Sequence, residues 1–149
     1  MRIAIVINTS WNIYNFRMGL IKSMKDNGIE VFTVAPEDEY SQLLREKNCN
    51  YTPVPMDNTG TNVLNDTLLT YRLYKIYKKI NPDLILHFTI KPNIYGTAAA
   101  TMLGIPVINN VSGLGTIFMK DNFVNKLAKM MYKWAFRYPK KVFFQNALI

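Results

Sequence analysis

At 149 residues, 49% of them hydrophobic, the chain has the size and apolar content of one packed domain, which argues against disorder. A single cysteine, Cys49, and a single histidine exclude an internal disulfide and a Cys/His zinc cluster, and they make a reducing compartment the default. No apolar run reaches the roughly 18 residues of a membrane span, and the opening MRIAIVIN is too short for a secretory leader, so a cytosolic chain is expected, with attachment to a membrane surface left open.

The formal charge is +8, and its placement matters more than its size. From Lys120 onward, Lys126, Lys129, Lys133, Arg137, Lys140 and Lys141 join it against Asp121 alone, so the body of the chain is near neutral.

Arg2–Asn8 is an apolar run without alternation, as expected of a strand covered on both faces. Thr9–Asn15 is a polar turn without G-x-G-x-x-G, and no P-loop motif occurs anywhere. Ile13–Asn27 has helical periodicity, with Phe16, Leu20, Ile21 and Met24 on one side and Gly28 as terminator. Glu30–Ala35 reads as the second strand, Glu39–Lys47 as a short helix and Tyr51–Val54 as a weak third strand. After the loop Met56–Thr61, Asp66–Ile80 is an amphipathic helix that buries Leu69, Leu73, Ile76, Tyr77 and Ile80 and turns Arg72, Lys75, Lys78 and Lys79 away.

Asp83–His87 is the fourth strand. Pro92 should stop it and bias Lys91 away from helix. Ile94–Leu103, rich in small residues, suits a helix lying close on a sheet, with Gly104 at its end; Ile105–Ile108 is the fifth strand. Asn122–Tyr138 is a further helix and Lys140–Gln145 a sixth strand. Strands alternating with helices predict an α/β, doubly wound, Rossmann-like parallel sheet of order 3-2-1-4-5-6. Its switch point lies between strands one and four, which brings Thr9–Arg17, Phe88–Tyr95 and the turn after strand five to one crevice.

The candidates follow from that crevice. Lys91, beside the start of the next helix, is suited to an anion such as phosphate or pyrophosphate; the competing reading is a solvated loop lysine. Asn93 is either a ligand or the N-cap of that helix. Arg17, with Asn15, opens the first helix and is suited to a phosphate or a sugar hydroxyl. Ser112, Gly113, Leu114 and Gly115 allow close backbone approach to a ligand and are expected to line an interdomain cleft toward a partner domain; the competing reading is a tight turn without a ligand. His87 reads as a satisfied core or rim residue, and no catalytic group or metal ligand set is assigned. In the last helix Lys126, Lys129, Lys133 and Arg137 form a stripe beside Phe123, Leu127, Met130, Met131 and Trp134, the pattern of a membrane-surface helix; the competing reading is a core-packed helix with a solvated charged side. No nucleic-acid module signature is present.

Phe88–Gly96 (FTIKPNIYG), Gly104-Ile105-Pro106, Ser112–Gly115 with Phe118, and Val142–Asn146 together resemble the N-terminal half of GT-B-fold glycosyltransferases of family 4. The likeness is narrowest to bacterial enzymes of capsule, O-antigen, lipopolysaccharide or lipid-linked glycan synthesis. The resemblance implies a domain that receives a lipid-linked or glycan acceptor at Asn15, Arg17, Lys91 and Asn93, peripheral to the inner face of an anionic cell membrane. It implies no cofactor in this chain. A nucleotide-sugar donor is expected in a C-terminal domain or partner subunit, with a retaining, metal-independent transfer that the isolated chain does not complete. The rival class is a non-catalytic, membrane-recruiting subunit of a split glycosyltransferase.

Overall fold

The computed structural model describes residues 1–58, 62–112 and 122–145. Six strands, β1 (Arg2–Val6), β2 (Glu30–Ala35), β3 (Tyr51–Pro53), β4 (Leu84–Phe88), β5 (Val107–Val111) and β6 (Lys141–Phe144), form one sheet in the order β3-β2-β1-β4-β5-β6. Every neighbouring pair is parallel, with Ile5 beside Thr33 on one side and Leu86 on the other. The predicted order and switch point are those observed.

The helices are α1 (Ser10–Phe16), α2 (Met18–Asp26), α3 (Ser41–Glu46), α4 (Val63–Ile80), α5 (Thr97–Met102) and α6 (Phe123–Ala135); a π-helical turn, Pro92–Gly96, leads into α5. Alternate residues of β1 feed two cores. Ala4 and Val6 pack under Leu69, Leu73 and Tyr77 of α4 on one face, while Ile3 and Ile5 pack with Ile13 of α1 and Ile21 of α2 on the other. That two-sided burial is why β1 shows no polar alternation.

Four local readings need correction. The first predicted helix is two, broken at Arg17 (φ −119°, ψ −5°); it starts earlier because the Thr9 side chain accepts from the Asn12 N–H. Its buried apolar positions are Ile13 and Ile21, whereas Phe16 and Leu20 are exposed. β5 begins two residues later than expected. The Ile105 N–H is spent closing α5 on Ala100, next to Gly104 at φ 68°, and Pro106 has no N–H to give the ladder.

Lys91 is helical (φ −66°, ψ −46°) despite preceding proline. Pro92 occupies a first-turn position, where its missing N–H costs nothing, so it opens the helix instead of barring it. The sharp change of direction is taken two residues before Lys91 by Thr89, at φ 70°, a conformation that a β-branched residue rarely adopts. Asn93, accordingly, is not an N-cap but lies inside the π turn, fully buried.

Candidate functional site

The carboxyl ends of β1, β4 and β5 meet in a cleft of about 230 Å³. Asn8 lines it from β1, Thr89 to Lys91 and Asn93 from the turn after β4, and Val111 and Ser112 from β5. Asn58 and Tyr132 of α6 complete the wall. Three strand tips and the last helix thus contribute to one concavity at the topological switch point, where ligands of open α/β sheets bind.

Lys91 is not a solvated loop lysine. Its Nζ donates to Asp66 Oδ1 at 2.8 Å, and the two side chains are 14% and 6% exposed. Asp66 stands in the first turn of α4 and also accepts from the Tyr95 hydroxyl at 2.8 Å on Oδ2. Burial, then that bond and the carboxylate charge, push the Tyr95 phenol well above its ordinary pKa, so it remains a donor. The lysine's charge is therefore balanced inside the protein.

Arg17 lies on the other side of the β4 tip. Its guanidinium carbon stacks 4.4 Å from the centre of the Phe88 ring, and burial lowers its pKa from the usual arginine value. Asn15 is exposed and bonds back to the Trp11 carbonyl, and neither it nor Arg17 is among the cleft-lining residues. Gly113, Leu114 and Gly115 lie outside the described residues.

Beneath the cleft runs a buried chain of hydrogen bonds. Asn109 Oδ1 can only accept, so His87 Nδ1 carries the proton it donates at 2.9 Å, and His87 Nε2 accepts from the Tyr77 hydroxyl at 2.9 Å. The Asn109 amide donates to Thr97 Oγ1 at 2.9 Å, and the Thr97 hydroxyl donates to the Asn93 carbonyl at 2.6 Å. His87 is fully buried, and desolvation, opposed by the Asn109 bond, takes its pKa down to about 4. It is the satisfied core residue that its position suggested. Gly96 makes room for it: a Cβ there would fall 2.5 Å from His87 Nε2 and 2.9 Å from the Tyr77 hydroxyl, so no side chain fits at that position.

Asp66 and Tyr132 were not singled out by the sequence. Asp66 reads as an ordinary acid at a helix start, and its partner Lys91 is 25 residues away, a separation that carries no pattern. Tyr132 falls on no predicted stripe of α6.

Among the described residues of α6, Tyr132 and Ala135 are buried against the π turn, with Ile94, Met131 and Phe136 around them. Phe123, Met130 and Trp134 point outward together with Lys126, Lys133 and Arg137. Lys129 is half-buried. The outer face is thus mixed basic and aromatic. Among the described residues no helix is long and apolar enough to cross a membrane.

The glycosyl transferase 4-like family profile matches residues 2–146. A protein of Campylobacter jejuni, N,N'-diacetylbacillosaminyl-diphospho-undecaprenol alpha-1,3-N-acetylgalactosaminyltransferase, is 32% identical over 151 aligned residues, which take in 98% of this chain. The chain spans 40% of that relative's length. MurG of Acinetobacter baumannii superposes with a TM-score of 0.67 at 16% identity, over 99% of this chain and 42% of its own. UDP-GlcNAc 2-epimerase of Methanocaldococcus jannaschii gives 0.66 at 16% identity, over 98% and 40%. At that identity these two structures speak for the fold.

Proposed function

Because the chain belongs to the glycosyl transferase 4-like family, we propose that it forms the acceptor-side domain of a nucleotide-sugar-dependent, retaining glycosyltransferase of lipid-linked glycan or cell-surface polysaccharide synthesis. The observation that carries this reading is the convergence of the β1, β4 and β5 tips on one cleft. The name of the Campylobacter relative supports a diphospho-polyprenol-linked saccharide as acceptor. The donor nucleotide-sugar is held by a second domain or partner, and the cleft residues alone do not complete transfer. Arg17, whose guanidinium stacks on Phe88 at the β4 tip, faces the acceptor's diphosphate.

The test is a titration in detergent. A diphospho-polyprenol-linked saccharide is expected to raise the melting temperature of this protein, and a UDP-sugar is not. Stabilisation by the UDP-sugar alone would reverse the assignment of this domain.

The outer face of α6 supports peripheral docking on anionic lipid. Each lysine near such a surface adds about 1 kcal/mol of attraction. Vesicles rich in phosphatidylglycerol are expected to carry the protein upward in a flotation gradient, and Lys126→Glu with Lys133→Glu to release most of it. Equal flotation of the double variant would remove membrane docking through this helix.

A further inference from the structure

Among the described residues, four buried side-chain polar atoms have no hydrogen-bond partner: Asn12 Oδ1, Arg17 Nε, Asn93 Oδ1 and the Tyr132 hydroxyl. None of them lies at the opposite end of the sheet. Asn12 is in the first turn of α1, Arg17 stacks on the last residue of β4, and Asn93 and Tyr132 both line the cleft. Buried polar groups are normally paired, because leaving one unpaired costs as much as the bond it forgoes. Their gathering at one end of the sheet marks a surface completed by something else.

Asn93 and Tyr132 are the more telling pair, being 0% and 2% exposed. The Asn93 amide nitrogen is already committed, donating to the Asn110 carbonyl at 3.0 Å, so its oxygen is turned away from that bond and can only accept. Desolvation takes the Tyr132 phenol up to about 12, eased by the nearby Asn93 amide, yet the two make no hydrogen bond of proper distance and angle. The phenol is thus a neutral hydroxyl able to donate and accept.

The charge around the pair is balanced. Lys91, the cation in the cleft lining, is neutralised by Asp66. A phosphate placed here would meet the lone pairs of Asn93 Oδ1 and find no spare positive charge. A sugar hydroxyl would donate to Asn93 Oδ1 and accept from Tyr132.

We propose that Asn93 and Tyr132 form a subsite for an uncharged, hydroxyl-bearing ring of the acceptor, so that the turn carrying Lys91 reads sugar while the diphosphate lies toward Arg17. This rests on the acceptor-side reading above and assigns which part of the acceptor occupies the β4–β5 side of the cleft.

Tyr132→Phe tests it, because the variant removes one oxygen and keeps the ring that packs on Ile94. An unpartnered buried hydroxyl contributes nothing to folding, so the variant's melting temperature is expected to equal or exceed the wild type. The probe is methyl N-acetyl-β-glucosaminide, titrated to tens of millimolar and followed by amide chemical shifts, with inorganic pyrophosphate in a parallel arm. The glycoside is expected to shift the amides around Asn93 and Ser112 in the wild type and to bind about tenfold more weakly to Tyr132→Phe, while pyrophosphate leaves those amides unmoved.

Three results would overturn the subsite: a lower melting temperature for Tyr132→Phe, equal glycoside binding by both proteins, or pyrophosphate shifting the Asn93 region. A lipid-linked acceptor that binds wild type and Tyr132→Phe alike would sink the subsite and leave the acceptor reading standing. Failure of the wild type to bind either the glycoside or the lipid-linked acceptor would end both.

Discussion

Replacing Asp66, the partner of the cleft residue Lys91, by alanine is expected to cost about 3–5 kcal/mol of folding stability. The carboxylate serves two buried partners at once, Lys91 and Tyr95, each at 2.8 Å. Its loss leaves an ammonium group with a side chain 14% exposed and no counter-charge, together with a phenol that has lost its acceptor. Asp66→Asn keeps the shape and one acceptor and should fall between. The double variant Asp66→Leu with Lys91→Met should recover most of the loss, because an apolar pair of similar volume can replace a buried ion pair at little cost. Urea unfolding of the four proteins measures these differences. A loss below about 1 kcal/mol for Asp66→Ala would mean that the pair is solvated.

The second large effect is acid sensitivity. His87 has a folded pKa of about 4 against 6.5 for the free side chain. The unfolded chain therefore binds a proton that the folded chain refuses, and stability rises with pH across that interval. The contribution is complete above pH 6.5 and is lost as pH falls from 6.5 to 4, amounting to roughly 3 kcal/mol at the lower end. His87 is the chain's one histidine, so the upper part of the window, above the range where carboxylates titrate, belongs to it alone. Unfolding free energy measured at pH 7 and pH 5 should differ in the wild type and much less in His87→Gln.

How far the sequence reaches differs by element. Strand order and switch point were legible because buried strands and an amphipathic α4 leave continuous, countable patterns. Leu69, Leu73, Tyr77 and Ile80 are all buried as their spacing requires, and the outward Lys75, Lys78 and Lys79 are exposed. The start of α4 was missed by three residues because its cap is a side chain: Asn62 accepts from the N–H groups of Leu64 and Asn65.

β5 was harder for another reason. Asn109 and Asn110 interrupt its apolar run, and they belong in the sheet only because Asn109 is met by His87 and Thr97 and Asn110 donates to the His87 carbonyl. Polar residues matched to partners 12, 22 and 23 positions away cannot be recognised as strand from their neighbours. The same holds for the cleft. Position along the chain brought Lys91, Asn93, Arg17 and Ser112 to the right end of the sheet, but the loss of Lys91's free charge to Asp66 and the arrival of Tyr132 are tertiary events.

The bonds from Tyr77 through His87, Asn109 and Thr97 to Asn93 join α4, β4, β5, α5 and the π turn in one unit. Asn93 is at once the last link of that series and part of the cleft wall. The floor of the cleft consequently has no slack of its own. Its amide hydrogens can trade with solvent only when the centre of the domain comes apart, and a molecule seated there would slow that exchange far from where it touches.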